Sequence, residues 1–375
     1  MIIESLKLYP ASVARQYATV IAQEGGTAAR TVDRSHFLFL ELSTDNGLHG
    51  WGEISDIEPD EYPDPEGYEK TLSAFMTSRN PFDIQPYHRD FSEHFSLKDG
   101  SLARVTSCAL EMAMYDLQGQ ATGRSVSDLI GGRVRNDVLI SWVAYIREDL
   151  ALLREEIRQK TAEGFRAFKL KVGVDMDLDE ARLAMLRETA GKEALIKVDA
   201  NEGWSVSEAI QAINRLEKYG LAGVETPVAR ENPADIAQVR KKVQVPILEH
   251  VSDLSYGLDL IKADAVDVFN IATTGCGGIF PARKVAALAE SAGLGVLIGS
   301  TVEMGLGTLA QIHLATTTPN LTLPSDLIGP GMYTKDILHD PVEYHKGTLR
   351  YTENKGLGGT VDRKKLAALQ QDTDS

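Results

Sequence analysis

The spacing of apolar positions changes along the chain, and the change divides it. Phe37 to Leu42 is a continuous β-prone run, and Leu48 to Glu53 resumes as a strand after the turn Asp45-Asn46-Gly47, so the two predict a hairpin. A polar stretch from Asp56 to Tyr68 follows. From Leu102 to Gln118, Val105, Cys108, Ala109, Met112, Ala113 and Leu117 recur at helical spacing. After Val138 short apolar runs alternate with helical stretches. Strands are predicted at 138–146, 167–172, 195–199, 223–225, 246–250, 265–271 and 295–300, with helices at 150–163, 178–189, 205–219, 233–242, 254–263, 281–292 and 306–315. A repeated βα unit predicts a parallel sheet, and this many units suit a closed barrel whose strand ends share one mouth.

Composition narrows the partners. The chain has 375 residues, 54 acidic and 39 basic side chains, and a formal net charge of −15. That surplus argues against nucleic acid and anionic membrane, because both require a basic face that displaces counterions. Two cysteines, Cys108 and Cys276, are too few for a disulfide framework. No basic-then-apolar leader and no run of about 18 apolar residues is present, so a soluble, cytoplasmic protein is expected.

The chemistry gathers at the predicted strand ends. In Phe168-Lys169-Leu170-Lys171-Val172-Gly173 alternation points Lys169 and Lys171 the same way, into the mouth. Two close ammonium groups depress each other's pKa, and a neutral lysine can take a proton. An isolated Lys-x-Lys is more often a solvated strand end. Asp199, Glu225 and the pair Glu249-His250 then follow successive apolar runs. Single acids at such places are usually helix N-caps. Three in consecutive units, beside two lysines, fit a hard divalent cation such as Mg²⁺.

These motifs, with Leu-His-Gly-Trp-Gly-Glu at 48–53 and Gly131-Gly132, resemble the mandelate racemase and muconate lactonizing enzyme group of the enolase superfamily. Gly299 to Gly305 and Ser325 to Pro330 look closer to the muconate lactonizing branch. The resemblance covers nearly the whole chain. It implies an α/β fold, a modified TIM barrel (β/α)₇β with an N-terminal α+β capping domain completed by the C-terminal tail. The expected division is 1–132 cap, 133–325 barrel and 326–375 a segment packing back on the cap. Asp199, Glu225 and a third acidic group would hold Mg²⁺ against a substrate carboxylate. Lys171 would take the α-proton, Lys169 would stabilise the resulting enediolate, and Asn201 would support the metal site. A small-molecule carboxylate substrate and a homo-oligomer are expected.

Two departures qualify the resemblance. Counting without gaps places Ala272 where most muconate-type members carry a lysine facing Lys171, which disfavours two-base racemisation or epimerisation. A one-face reaction remains, either syn elimination of water or cycloisomerisation. The third ligand position falls on His250, with Glu249 one residue before it. Imidazole would shift preference toward Mn²⁺ or Zn²⁺, whereas a local bulge would turn Glu249 inward. Tyr145, balanced by a packing reading, Glu303, balanced by a salt-bridge reading, and Tyr17 are further candidates for substrate contact. Tyr17 lies in the polar segment Ser12 to Arg30, where the family keeps a mobile lid. The competing classes are a racemase or epimerase, a non-catalytic carboxylate-binding barrel, and a Schiff-base aldolase using one of the lysines.

Overall fold

The computed structural model describes residues 1–23, 25, 29–97, 101–351 and 353–373. Three antiparallel strands, β1 (Ile3–Ala22), β2 (Ala29–Thr44) and β3 (His49–Ile54), form the first sheet in that order. The predicted hairpin is β2–β3. The segment Ser12 to Arg30 holds the far half of β1 and the start of β2, paired up to Ala22 with Ala29, while Gly26 lies outside the described residues. Mixed polar and apolar positions there reflect a ribbon that is only half-buried.

The helix Leu102–Thr122 packs on β3, buried on nearly every side. Gly50 and Gly52 permit the approach, since a Cβ at either would collide with the backbone carbonyl of Ala113 or Ala109. This explains why glycines flank Trp51 in the Leu-His-Gly-Trp-Gly-Glu motif. The helices Pro65–Met76 and Ile84–His94, which polar composition concealed, complete the unit.

The run predicted at 138–146 divides into β4 (Asp137–Leu139) and β5 (Ser141–Ala144). Then come β6 (Ala167–Lys171), β7 (Leu195–Asp199), β8 (Leu221–Glu225), β9 (Ile247–His250), β10 (Val268–Ile271) and β11 (Gly295–Ile298). Strands β5 to β11 form one parallel sheet in sequential order. Residues 320–326 close it. Thr322 donates its N–H to Val296 O (3.0 Å) and Ser141 to Ser325 O (2.8 Å), so this segment bridges β11 and the start of β5 as an eighth strand. Leu248, Val268 and Leu297 pack together inside the ring as its floor, with Leu323 against them. The helices between strands carry side-chain caps, including Asp175, the Ser205/Glu208 capping box and Asp253.

In the tail, β12 (Thr348–Arg350) pairs antiparallel with β4, and the helix Arg363–Thr373 lies against β1 with Leu366 and Leu369 buried. No helix among the described residues is long and apolar enough to cross a membrane.

Glu53 joins the first sheet to the barrel. It is fully buried and accepts the N–H groups of Met304 (2.7 Å) and Gly307 (2.9 Å), at the start of the helix Gly305–Thr317, and the Ser55 hydroxyl (2.9 Å). Burial pushes its carboxyl up to about 8, against the pull of those donors. A folded-state value above the unfolded one favours the protonated form on folding. The stabilising contribution is therefore present in full below the ordinary glutamate value and is lost as pH rises through about 8. Melting curves across this range are expected to show stability falling more steeply with pH in the wild type than in Glu53→Gln, and equal slopes would contradict the assignment.

Candidate active site at the barrel mouth

Strand alternation builds the site. On β6 Phe168 and Leu170 are fully buried in the main core, while Lys169 and Lys171 alternate with them and meet acids from the neighbouring strands. Lys169 Nζ lies 2.9 Å from Asp326 Oδ2, 3.1 Å from Glu225 Oε1 and 3.3 Å from Asp199 Oδ2. Burial alone would lower this ammonium, but the carboxylates of Asp326, Glu225 and Asp199 outweigh it and hold Lys169 well above the ordinary lysine range. Mutual depression of the two lysines, expected from Lys-x-Lys, is thus overridden at Lys169 by three surrounding acids. Lys171 Nζ is held 2.7 Å from Asp199 Oδ2 and 2.8 Å from Asn201 Oδ1. Asn201 also donates its backbone N–H to Asp199 Oδ1 (3.0 Å).

Asp199, Glu225 and His250 converge, with one ligand atom from each lying within 4.8 Å of the others. His250 Nε2 is 2.8 Å from Glu225 Oε1. Burial alone would raise Glu225, but Lys169, His250 and Lys197 push it well below the usual carboxylate range. Glu249 goes elsewhere. It is fully buried beside Thr226 Oγ1 (3.1 Å) and Arg230 Nε (3.2 Å), and burial raises it to about 7 despite Arg230. No bulge interrupts β9, so adjacent residues point to opposite faces and the structure gathers His250, not Glu249, with Asp199 and Glu225.

Two buried carboxylates and an imidazole on one small locus suit a divalent cation, and the mixed O/O/N set extends the range beyond Mg²⁺ toward Mn²⁺. The chain turns sharply just past these ligands. Asn201 and Thr226 both have left-handed backbones (φ 46° and 43°), and for β-branched Thr226 this is a strained state of the kind that collects at functional sites.

Above this cluster lies a cavity of about 430 Å³, lined by His250 and Asn270 below, by residues beyond β10 and β11, and by Asp56, Glu58 and Glu61 from the loop after β3. Ala272 sits four strands from Lys171 in an eight-stranded ring, hence across the mouth. Glu303 is buried beneath the cavity wall, where Thr274, Thr301 and Gln311 donate to it. Tyr145 is buried, and Tyr17 stacks edge-on against it (6.4 Å) while its hydroxyl donates to Glu156 (2.8 Å). Neither tyrosine lines the cavity.

Sequence reasoning missed three participants. Lys197, with 1% exposure, donates to Asp326 Oδ1 (2.8 Å) and Pro324 O (2.9 Å), and Asn270 Nδ2 donates to Glu225 Oε1 (2.9 Å). Each stands two residues before a position already singled out, Asp199 or Ala272, so strand parity could have found both. Asp326 ends the closing segment, which is too short to register as a strand in the hydropathy pattern.

Two family descriptions match the chain: the mandelate racemase / muconate lactonizing enzyme N-terminal domain over residues 16–131, and the enolase C-terminal domain-like family over 152–365. The N-succinyl-L-Arg/Lys racemase of Bacillus cereus is 30% identical over 346 residues, covering 88% of this chain and 89% of its own. The hydrophobic dipeptide epimerase of Enterococcus faecalis is 31% identical over 340 residues, covering 88% and 93%. Among solved structures, muconate lactonizing enzyme from Pseudomonas fluorescens complexed with muconolactone superposes with a TM-score of 0.89 at 26% identity over 98% of this chain and 99% of its own. The dipeptide epimerase of Enterococcus faecalis, complexed with Mg and the dipeptide L-Leu-L-Tyr, gives a TM-score of 0.86 at 27% identity, covering 96% and 100%.

Proposed function

We propose, for a chain that belongs to the mandelate racemase / muconate lactonizing enzyme family of the enolase superfamily, a divalent-metal-dependent lyase or isomerase that removes the proton α to a substrate carboxylate. One observation carries the reading: Lys171 Nζ, the Lys169 ammonium and the Asp199/Glu225/His250 cluster meet at one barrel mouth, beside a cavity that His250 lines. Asp199, Glu225 and His250 would hold the cation, which when bound would supply positive charge to a carboxylate.

The chain's own groups account for the remaining steps. Lys169 stays an ammonium and faces the carboxylate oxygens on which negative charge develops as the α-proton leaves, which is where fixed positive charge lowers a barrier. Lys171, in its neutral form, receives the proton, with Asp199 and Asn201 fixing where Nζ points. The electron pair released at the α-carbon expels a β-substituent, either a hydroxyl that leaves as water with the proton Lys171 has taken or a ring carboxylate whose departure opens a lactone, or it recaptures the proton from Lys171 on the same face. In the reverse direction a carboxylate adds at the β-carbon and Lys171 gives a proton to the α-carbon, which closes the ring.

Because Ala272 offers no proton across the mouth, the reading is a one-face enzyme although two of the relatives are a racemase and an epimerase. Incubating a single enantiomer of a substrate in D₂O is expected to introduce deuterium at the α-carbon with retention or to yield an elimination or ring product. Appearance of the opposite enantiomer at a rate comparable with exchange would overturn the one-face assignment.

A further inference from the structure

Resting on that reading, we propose that the substrate bears a hydrogen-bond donor, a hydroxyl or an amino group, where it meets the wall beyond β10 and β11, and that Thr274, Ser300 and Thr301 select it against a second carboxylate.

The side-chain hydroxyls of this wall present acceptors. Each hydroxyl has one proton to give. Thr274 Oγ1 donates to Glu303 Oε1 (3.2 Å), Thr301 Oγ1 donates to the same oxygen (3.2 Å), and Ser300 Oγ donates to Glu303 Oε2. Thr301 Oγ1 also lies 3.4 Å from Thr274 Oγ1, so its proton stays within the cluster in either case. Glu303 is 1% exposed and further accepts the Thr301 N–H (3.1 Å) and Gln311 Nε2 (3.0 Å), which fixes it as the common acceptor. Ser300 Oγ already accepts the Val302 N–H (2.9 Å), so what the three hydroxyls have left for the cavity they line is their remaining lone pairs. The arrangement is held under strain, because Val302, between Thr301 and Glu303, is a β-branched residue at φ 65°.

A second observation points the same way. Asn270 lines the same cavity, its Nδ2 is committed to Glu225, and its Oδ1 is buried without a hydrogen-bond partner. A buried acceptor without a donor is costly until a ligand supplies one.

The cationic side chains at the cavity do not reverse this. Arg104 donates to the carbonyls of Ser252, Gly275 and Leu97, and Arg230 donates to the His250 carbonyl and is ion-paired with Glu249 (3.2 Å). The loop after β3 adds Asp56, Glu58 and Glu61 on the opposite side, of which Asp56 is paired with Arg15 (3.0 Å) and Glu58 with Arg30. At the hydroxyl wall a diacid's distal carboxylate would face lone pairs, whereas a hydroxyl or ammonium would satisfy them. Glu303 acts here as a positioning residue through the hydroxyls it orients.

Isothermal titration of the Mg²⁺-supplemented protein with four acids of one chain length tests this: δ-hydroxyvalerate, δ-aminovalerate, valerate and glutarate. The hydroxy or the amino acid is expected to bind at least about tenfold more tightly than glutarate, since a site built from buried acceptors rejects an unmatched group. The tighter of the two identifies the donor. In Thr274→Val/Thr301→Val, or in Thr301→Val alone should the double variant misfold, that preference is expected to shrink severalfold relative to valerate. Glutarate binding as tightly as the donor-bearing acids, or none of the four binding, would overturn the proposal. Titration reads binding without turnover, so absence of α-proton exchange with a bound acid would count against the proposed function and leave the selectivity result standing.

Discussion

Lys171→Ala is expected to lower turnover and α-proton exchange by at least about 10³-fold, within the range that a positioned general base contributes, with circular dichroism and melting temperature close to wild type. Chemistry and folding separate here because the Lys171 side chain is not part of the core. It is 11% exposed at the mouth, and its partners Asp199 and Asn201 keep other contacts when it is gone: Asp199 lies 3.3 Å from Lys169 Nζ and still accepts the Asn201 backbone N–H. Lys171→Arg sharpens the test. Arginine keeps the positive charge beside Asp199 but does not deprotonate in proteins, so it should be as inactive as alanine if Lys171 is the base. Substantial activity in Lys171→Arg would mean that charge alone is needed and would reassign proton removal.

The second large effect concerns the cation. Dialysis against EDTA is expected to abolish activity, with recovery on adding Mg²⁺ or Mn²⁺, and Glu225→Ala should abolish it without recovery. Glu225 is fully buried and answers Lys169, His250 and Asn270 at once, so the alanine variant also leaves buried positive charge less compensated and should lose stability as well. The informative pair is therefore His250→Ala and Glu249→Gln. Since His250 shares the locus of Asp199 and Glu225 while Glu249 faces Thr226 and Arg230, His250→Ala should raise the metal concentration needed for half-maximal activity, and Glu249→Gln should leave it unchanged. The reverse ranking would move the third ligand to Glu249. The imidazole also predicts relatively better support by Mn²⁺ than an all-carboxylate site would show.

Much of this site was legible in the sequence because parallel strands buried on both faces write themselves as short apolar runs, and the polar residue that ends each run stands out. Lys169, Lys171, Asp199 and Glu225 are found that way, and gapless counting on β9 also favoured His250. The fold was legible for the same reason from 138 onward. What stayed hidden had weak periodicity or no local signal. The long ribbon of β1 and β2 is half-exposed and reads as a polar segment, and the barrel-closing residues 320–326 make only isolated bridges. Partners distant in sequence cannot be read from spacing either. Lys197 with Asp326, and Glu53 with Met304 and Gly307, meet only because the barrel closes and the first sheet docks on it. Two expectations drawn from local pattern changed in three dimensions. Lys169 is dominated by three carboxylates and not by its neighbouring lysine, and Glu303 is surrounded by donors from its own loop and from Thr274 and Gln311.

The most direct test of the central claim, that Lys171 removes an α-proton from a metal-held carboxylate, is ¹H NMR of a carboxylic acid panel in D₂O with wild type, wild type plus EDTA, and Lys171→Ala side by side. Loss of the α-proton signal is expected for at least one acid with the metal-supplemented wild type, and for none with the chelated protein or with Lys171→Ala. Exchange at a wild-type rate in Lys171→Ala, or exchange indifferent to EDTA, would contradict it.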